Sequence, residues 1–385
     1  MITSYEIFVP VIMGSGSSMR TGMKVREMGC SKTLVIYDKG MKDTGIADRI
    51  LDSLHEAGLE TVIFDGVVPD PPDTMVEAAA EEARKAGIDS IVAVGGGSAI
   101  DTAKGVNVLI NNPPPISNYC GGVQNGLKPG VKMVFIPTTS GTGSEVTNMC
   151  VISLVAQKKK DSVVSPVCLA NLAIVDPDLT LGLPPKMTAA TGVDAFAHAV
   201  ESLTGGQANP MADALAREAI RMIVKWLPVA IEDGKNLDAR EHMILASTFA
   251  GMAFTNALVH MGHSIGHTFG ALFHLPHGIA CSLALPEVIC YTAKTEAHKV
   301  REICDCMGIE VPQDADNITV GEIAREAIRC FLKKAGMPNM KELDIPKEPL
   351  GDIAKAVTQD IGYAIIPYRI SASKVHELLL HAYDA

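Results

Sequence analysis

SIVAVGGGSAIDTAKGVNVL, residues 90–109, changes texture twice within one short stretch. Ser90–Val94 is a β-branched apolar run of the kind that fills a buried strand. Gly95-Gly96-Gly97-Ser98 is a tight turn, and Ala99–Leu109 carries apolar residues at helical spacing. Strand, glycine turn and helix make half of a βαβ unit, so more of the same is expected on either side. Upstream, TLVIY (33–37) and ETVIFDGV (60–67) read as strands, with Gly45–Glu56 and Thr74–Lys85 as amphipathic helices. Downstream, KMVFIP (132–137) and LAIVD (172–176) read as further buried strands. This alternation predicts an α/β, Rossmann-like parallel sheet with helices on both faces and ligands at the carboxyl ends of its strands.

The texture changes at Pro184-Pro185. Residues 187–228 and 239–259 are rich in Ala, Met and Leu at helical spacing, and strand signals nearly vanish. The stretch 308–350, with Pro312, Pro338, Pro346 and Pro349, reads as connections between further helices. The expectation is an α/β dinucleotide-binding domain over 1–183 and an all-α, metal-binding domain over 184–385.

With 385 residues, 47% of them hydrophobic, the chain is long enough for two such cores. A net charge of −11 argues against nucleic acid, which needs clustered Lys and Arg. The one basic run, Lys158–Lys160, is followed at once by Asp161. Nine cysteines without a Cys-x-x-Cys read as reduced thiols. MITSYEIFVPVIMG lacks the pattern of a signal peptide, and no apolar run approaches the roughly 18 residues of a membrane span. A cytoplasmic protein without membrane partners is expected.

Asp194 and His198 stand four apart in TGVDAFAHAVES, hence one helical turn apart on one face. His263 and His267 repeat the spacing in MGHSIGHTFG, and His277 follows between Pro276 and Gly278. Five of the 11 histidines fall between 260 and 277. Imidazoles with one carboxylate suit iron, zinc or nickel better than magnesium or calcium. The pattern predicts a divalent-metal site with a position left open for substrate oxygen. His260 and His274 read as ordinary structural histidines.

The Gly95–Ser98 turn, opening a helix, reads as a phosphate cradle. It departs from G-x-G-x-x-G, whose third glycine would fall at Ile100. PTTSGTGS (137–144) is a second glycine- and hydroxyl-rich turn after a strand. Asp38, ending TLVIY, is placed to meet an adenosine ribose and to repel a 2′-phosphate, which favours NAD over NADP.

The motifs VGGGSAIDTAK, IPTTSGTGSEVT, IVDPDLT, PPKMTAATGVDAFAHAVE and HSIGHTFGALFHLPHG together resemble the iron-containing (group III) alcohol dehydrogenases, which include lactaldehyde reductases and 1,3-propanediol dehydrogenases. The resemblance spans the chain from FVP (8–10) to its last helix and implies a dehydroquinate synthase-like fold. It implies metal ligands at Asp194, His198, His263 and His277, with Fe2+ or Zn2+ bound. His267 then lies near the nicotinamide as a proton relay. Cofactor contacts are implied at Asp38, Gly97, Ser98, Thr138, Thr139, Thr142, Lys160 and Leu179. Gly96, Asp101 and Ser144 in the same loops complete the set. Asp70 stands where relatives often have Asn, SGTGSE replaces the commoner AGTASE, and His260 and His274 occupy places where other residues are expected.

The expected reaction is hydride exchange between a small primary alcohol or diol, or its aldehyde, and NAD(H), in a homodimer or larger homo-oligomer. Met149, Val151 and Phe254 are expected near the substrate. Three rival readings are a metal-independent reductase of the same fold, such as a maleylacetate reductase, a non-haem iron oxygenase, and a non-catalytic nucleotide-binding protein.

Overall fold

The computed structural model describes residues 5–6, 9–157 and 159–384. Phe8, in the FVP of the resemblance, and Lys158, in the basic run, lie outside the described residues. The chain divides into two compact units, one ending at Gly182 and the other beginning at Leu183 and taking in Tyr5 and Glu6, which the expected 1–183 domain had included.

The first unit carries strands β1 (Val11–Met13), β2 (Lys32–Ile36), β3 (Glu60–Phe64), β4 (Ser90–Gly95), β5 (Gly122–Val123), β6 (Lys132–Pro137), β7 (Met149–Leu154), β8 (Lys159–Val164) and β9 (Leu172–Val175). Its helices are α1 (Thr21–Glu27), α2 (Lys39–Asp43), α3 (Ile46–Glu56), α4 (Asp73–Ala86) and α5 (Gly97–Asn111). Six strands form a parallel sheet in the order β1-β9-β6-β4-β2-β3. β4 is buried along its whole length, as a central strand covered on both faces must be. Val35, Val92, Val94, Val134, Ile136 and Ile174 from its strands pack against Ile50 and Leu54 of α3. Burying each such side chain contributes about 1.5–3 kcal/mol.

The remaining strands make a separate sheet, β5-β8-β7, in which β7 and β8 pair antiparallel. Neither strand is expected from sequence; β8 reads KKDSVV, with four of its six residues polar. β1 also went unread, since three residues carry little periodicity and its partner β9 lies some 160 residues away.

In the second unit all elements among the described residues are helical: α6 (Pro185–Thr204), α7 (Pro210–Glu232), α8 (Leu237–Ala257), α9 (Met261–Phe273), α10 (His277–Ser282), α11 (Leu285–Cys306), α12 (Asn317–Lys334), α13 (Leu350–Val357) and α14 (Ala372–Asp384), with one 3-10 turn at Ile361–Ile365. Pro185 opens α6 at the position where a missing N–H costs nothing. The buried Arg240 of α8 donates to Leu183 O, Thr188 Oγ1 and Gly234 O, which ties α8 to that start. The stretch 308–350 is more than connection, since it contains the amphipathic α12, capped by Asp316. α8 and α9 meet at a 107° bend. There Leu258 holds φ 60° and ψ 171°, a conformation that costs a branched residue about 1–3 kcal/mol. No single helix among the described residues is long and apolar enough to cross a membrane.

Candidate active site

α6 carries Asp194 and His198 on one face, α9 carries His263 and His267, and His277 is the first residue of α10, which packs on both. Donor atoms of Asp194, His198, His263 and His277 all lie within 4.8 Å of one another. The His198 and His263 rings stack at 4.6 Å, and Phe254 stacks on the other side of His198 at 4.4 Å. His277 Nε2 is 3.6 Å from Asp194 Oδ1.

Asp194 Oδ1 and His263 Nε2 are buried and make no hydrogen bond among the described residues. Each atom left so costs about 1–3 kcal/mol unless something else satisfies it. A divalent cation fits both. Burial pushes His263 well below the ordinary histidine range, with His277, His267 and His260 adding to the effect. The imidazole is thereby held neutral, the form that ligates a metal. Burial pushes Asp194 upward, opposed by His198 and His267. The chemistry of the donor set therefore matches a resident divalent ion.

His267 stands beside this cluster, its ring 5.7 Å from that of His277 and nearly parallel to it. Its Nδ1 meets Asp360 Oδ2 at 2.9 Å, and Asp360 also accepts from Ser264 Oγ and the Gly362 N–H. Burial raises Asp360, but the His267 hydrogen bond and charge, with the other two donors, outweigh it and bring the pKa to about 2.

In the sheet unit, β4 and β6 run in register so that Gly95 faces Pro137, and their two loops leave side by side. A Cβ on Gly96 would lie 3.3 Å from Thr139 Cγ2, and one on Gly97 only 2.9 Å from Thr142 Cγ2. The glycines thus let the two loops interlock, in addition to any contact with phosphate. Ser98 and Thr138 flank the same junction. Asp38 lies two residues beyond the neighbouring strand β2, and one carboxylate oxygen caps α2 by accepting from Met41 N.

Other expected cofactor residues are differently engaged. Asp101 accepts from Ser144 Oγ at 2.8 Å and from Val151 N at 3.2 Å. Lys104, fully buried, braces the pair from beneath: its Nζ donates to Ser144 Oγ, Thr147 Oγ1 and Met149 O. Lys160 sits in β8, paired with Asp70 at 2.7 Å. Leu179 is only 4% exposed and packs in the sheet core. Of the expected substrate neighbours, Phe254 touches the histidine cluster, while Met149 and Val151 belong to β7.

The family described as iron-containing alcohol dehydrogenase matches residues 9–177, and its C-terminal counterpart matches 188–383. The chain belongs to the iron-containing alcohol dehydrogenase family. It is 36% identical to a 1,3-propanediol dehydrogenase of Citrobacter freundii over 99% of this chain and 100% of that one. An NAD-dependent methanol dehydrogenase of Bacillus methanolicus is 33% identical over 94% of each chain. A crystal structure of a 1,3-propanediol oxidoreductase superposes with a TM-score of 0.95 at 34% identity, covering 100% of both chains. The fold expected from sequence, a parallel-sheet domain followed by a helical one, is the fold of this family.

As an iron-containing alcohol dehydrogenase, the protein is an oxidoreductase of alcohols and aldehydes, which removes the oxygenase and non-catalytic readings. Three residues of its site region escaped the sequence reading: Glu201, Asp360 and Lys104. Glu201 is buried between His260 and His263, and burial raises its pKa against the pull of His260 and two backbone N–H groups. Its position three residues after His198 was the available signal. Asp360 lies 93 residues beyond His267 and gave none. His260 is fully buried before α9, and His274 ends α9 in the left-handed region at φ 52°.

Proposed function

We propose that this alcohol dehydrogenase oxidises a small primary alcohol or diol with NAD, and reduces the corresponding aldehyde, at a metal held by Asp194, His198, His263 and His277. The observation that carries the reading is the meeting of four donors from three helices, two of whose atoms are buried without hydrogen bonds. Fe2+ is the ion proposed, on the strength of the family, with Zn2+ as the other ion these ligands accept. Bound there, the metal supplies Lewis acidity toward an alcohol or carbonyl oxygen. NAD supplies the hydride acceptor. Preference for NAD over NADP is supported by the Asp38 carboxylate just beyond β2, which repels a 2′-phosphate.

Asp38, Gly96, Gly97, Ser98, Thr138, Thr139 and Thr142 are the proposed cofactor contacts. Asp101 and Ser144, with Lys104 beneath them, hold the second loop in shape. Lys160 and Leu179 are retained as contacts only through the family resemblance. His267 moves the proton: Asp360 occupies its Nδ1, so Nε2 is the atom left to take the hydroxyl proton and pass it to water, the side chain being 31% exposed. A homodimer or larger assembly is supported by Met13, Met19 and Met23, exposed along the sheet-edge strand β1 and the helices after it. A cytoplasmic location is supported by nine cysteines in the thiol form.

The test is an anaerobic panel of small alcohols and diols with NAD and NADP on iron-loaded and zinc-loaded enzyme. NAD-linked oxidation that disappears together with bound metal in His263→Ala is the expected result. Full turnover after complete removal of metal would overturn the proposal in favour of a metal-independent reductase.

A further inference from the structure

Glu201 lies one turn beyond His198 on α6, where the four-donor set does not call for another carboxylate. It is 0% exposed. A carboxylate so placed is costly unless donors surround it. Oε1 accepts the Gly262 N–H at 2.6 Å, and Oε2 accepts the His263 N–H at 3.1 Å. Oε2 also hydrogen-bonds His263 Nδ1. His260 Nδ1 stands 3.2 Å from Oε1, and its Nε2 is anchored 2.9 Å from Thr204 Oγ1. Room for the carboxylate comes from a missing side chain, since a Cβ on Gly262 would lie 2.8 Å from Oε1 and 3.0 Å from Cδ. The first amides of α9 thus point at Glu201, where a helix dipole favours negative charge.

We infer that Glu201 is a positioning residue for the metal, keeping the His263 proton on Nδ1 so that the Nε2 lone pair faces Asp194, His198 and His277. A neutral imidazole has a single N–H, and a carboxylate against one nitrogen decides which nitrogen carries it. Nε2 is then the buried atom that lacks a hydrogen bond. His260 Nδ1 lies near the other oxygen without hydrogen-bonding it, so the Gly262 and His263 amides are what hold the carboxylate. The inference rests on the metal reading above.

The experiment titrates Zn2+ into chelator-stripped protein. Glu201→Gln should weaken binding about 10–100-fold, the usual loss when the partner of a ligating histidine is removed. Both carboxylate oxygens accept hydrogen bonds, so either flip of the glutamine turns an NH2 toward an N–H. Gly262→Ala should weaken binding in the same direction by displacing the carboxylate. Asp194→Ala and His263→Ala separate the two levels of the argument. If they bind zinc as wild type does, the metal reading fails. If they lose zinc while Glu201→Gln keeps wild-type affinity, the role of Glu201 alone is overturned. Nitrogen-15 NMR of histidine in metal-free wild-type protein decides the matter even if a variant fails to fold. His263 protonated at Nδ1 supports the assignment, and His263 protonated at Nε2 ends it.

Discussion

Asp360 reaches His267 from ninety-three residues away and takes hydrogen bonds from Ser264 and Gly362 as well. Its folded pKa of about 2 lies below the unfolded aspartate value of about 3.9, so the unfolded chain takes up this proton first. Its contribution to stability is therefore full above about pH 4 and is lost as pH falls toward 2. Asp360→Asn should be less stable than wild type at neutral pH, with the difference shrinking to nothing in that acid window, as read by urea denaturation. The same variant should lower kcat by up to about 100-fold through misplacement of His267, with metal content unchanged. Equal loss of metal and turnover would instead make Asp360 part of the metal site. At this scale the sequence exposed what local spacing can expose. Asp194 with His198 and His263 with His267 are helical neighbours, and His277 is marked by its proline and glycine. Asp360 is chosen by tertiary contact and leaves no local trace, and Glu201 hides as one acid on a helix that already has another.

The two loops after β4 and β6 behave as one element because Gly96 and Gly97 admit Thr139 and Thr142. Gly97→Ala places a methyl 2.9 Å from Thr142 Cγ2, so one loop must move. NAD affinity should fall while zinc binding and the helical unit's circular dichroism stay as in wild type. Unaltered NAD affinity, measured by fluorescence quenching or calorimetry, would mean these loops do not hold the cofactor. Strand–turn–helix periodicity revealed β2, β3, β4, β6 and β9 because each is a short apolar run. It missed β8, whose first four residues are polar, and it also missed β7, although MCVISL is mostly apolar. Proline misled in the other direction: four prolines drew attention to the ends of α12 and away from the amphipathic helix among them.

Across the whole molecule, the break in texture at Pro184-Pro185 was legible because burial on both faces of a sheet and burial along one stripe of a helix select different residue patterns. The two compact units divide between Gly182 and Leu183, and Tyr5 and Glu6 group with the helical unit rather than with the sheet. The meeting of the segments that carry Asp194, His198, His263 and His277 was legible from the histidine pattern and the family resemblance, but the packing of the other helices was not, since helix order in sequence does not specify it. The donors come from α6, α9 and α10, so the ion should tie these helices together. Chelation is expected to lower the melting temperature and to speed hydrogen exchange in α6, α9 and α10. Restoring metal to about 100 times its Kd should return about 2.7 kcal/mol of stability. Exchange in those helices that ignores the metal would mean it binds elsewhere.

Eighty-three residues of chain separate Asp194 from His277, and another eighty-three separate His277 from Asp360. A ribosome adding about 5–20 residues per second takes roughly 4–17 s over each interval. The nascent chain therefore spends seconds with Asp194 and His198 alone, a two-donor chelate open to any passing cation. It then spends seconds more with all four donors made and the partner of His267 still unsynthesised. On the proposed assignment, capture of the ion and readiness for proton transfer become separate events, ordered by the direction of translation.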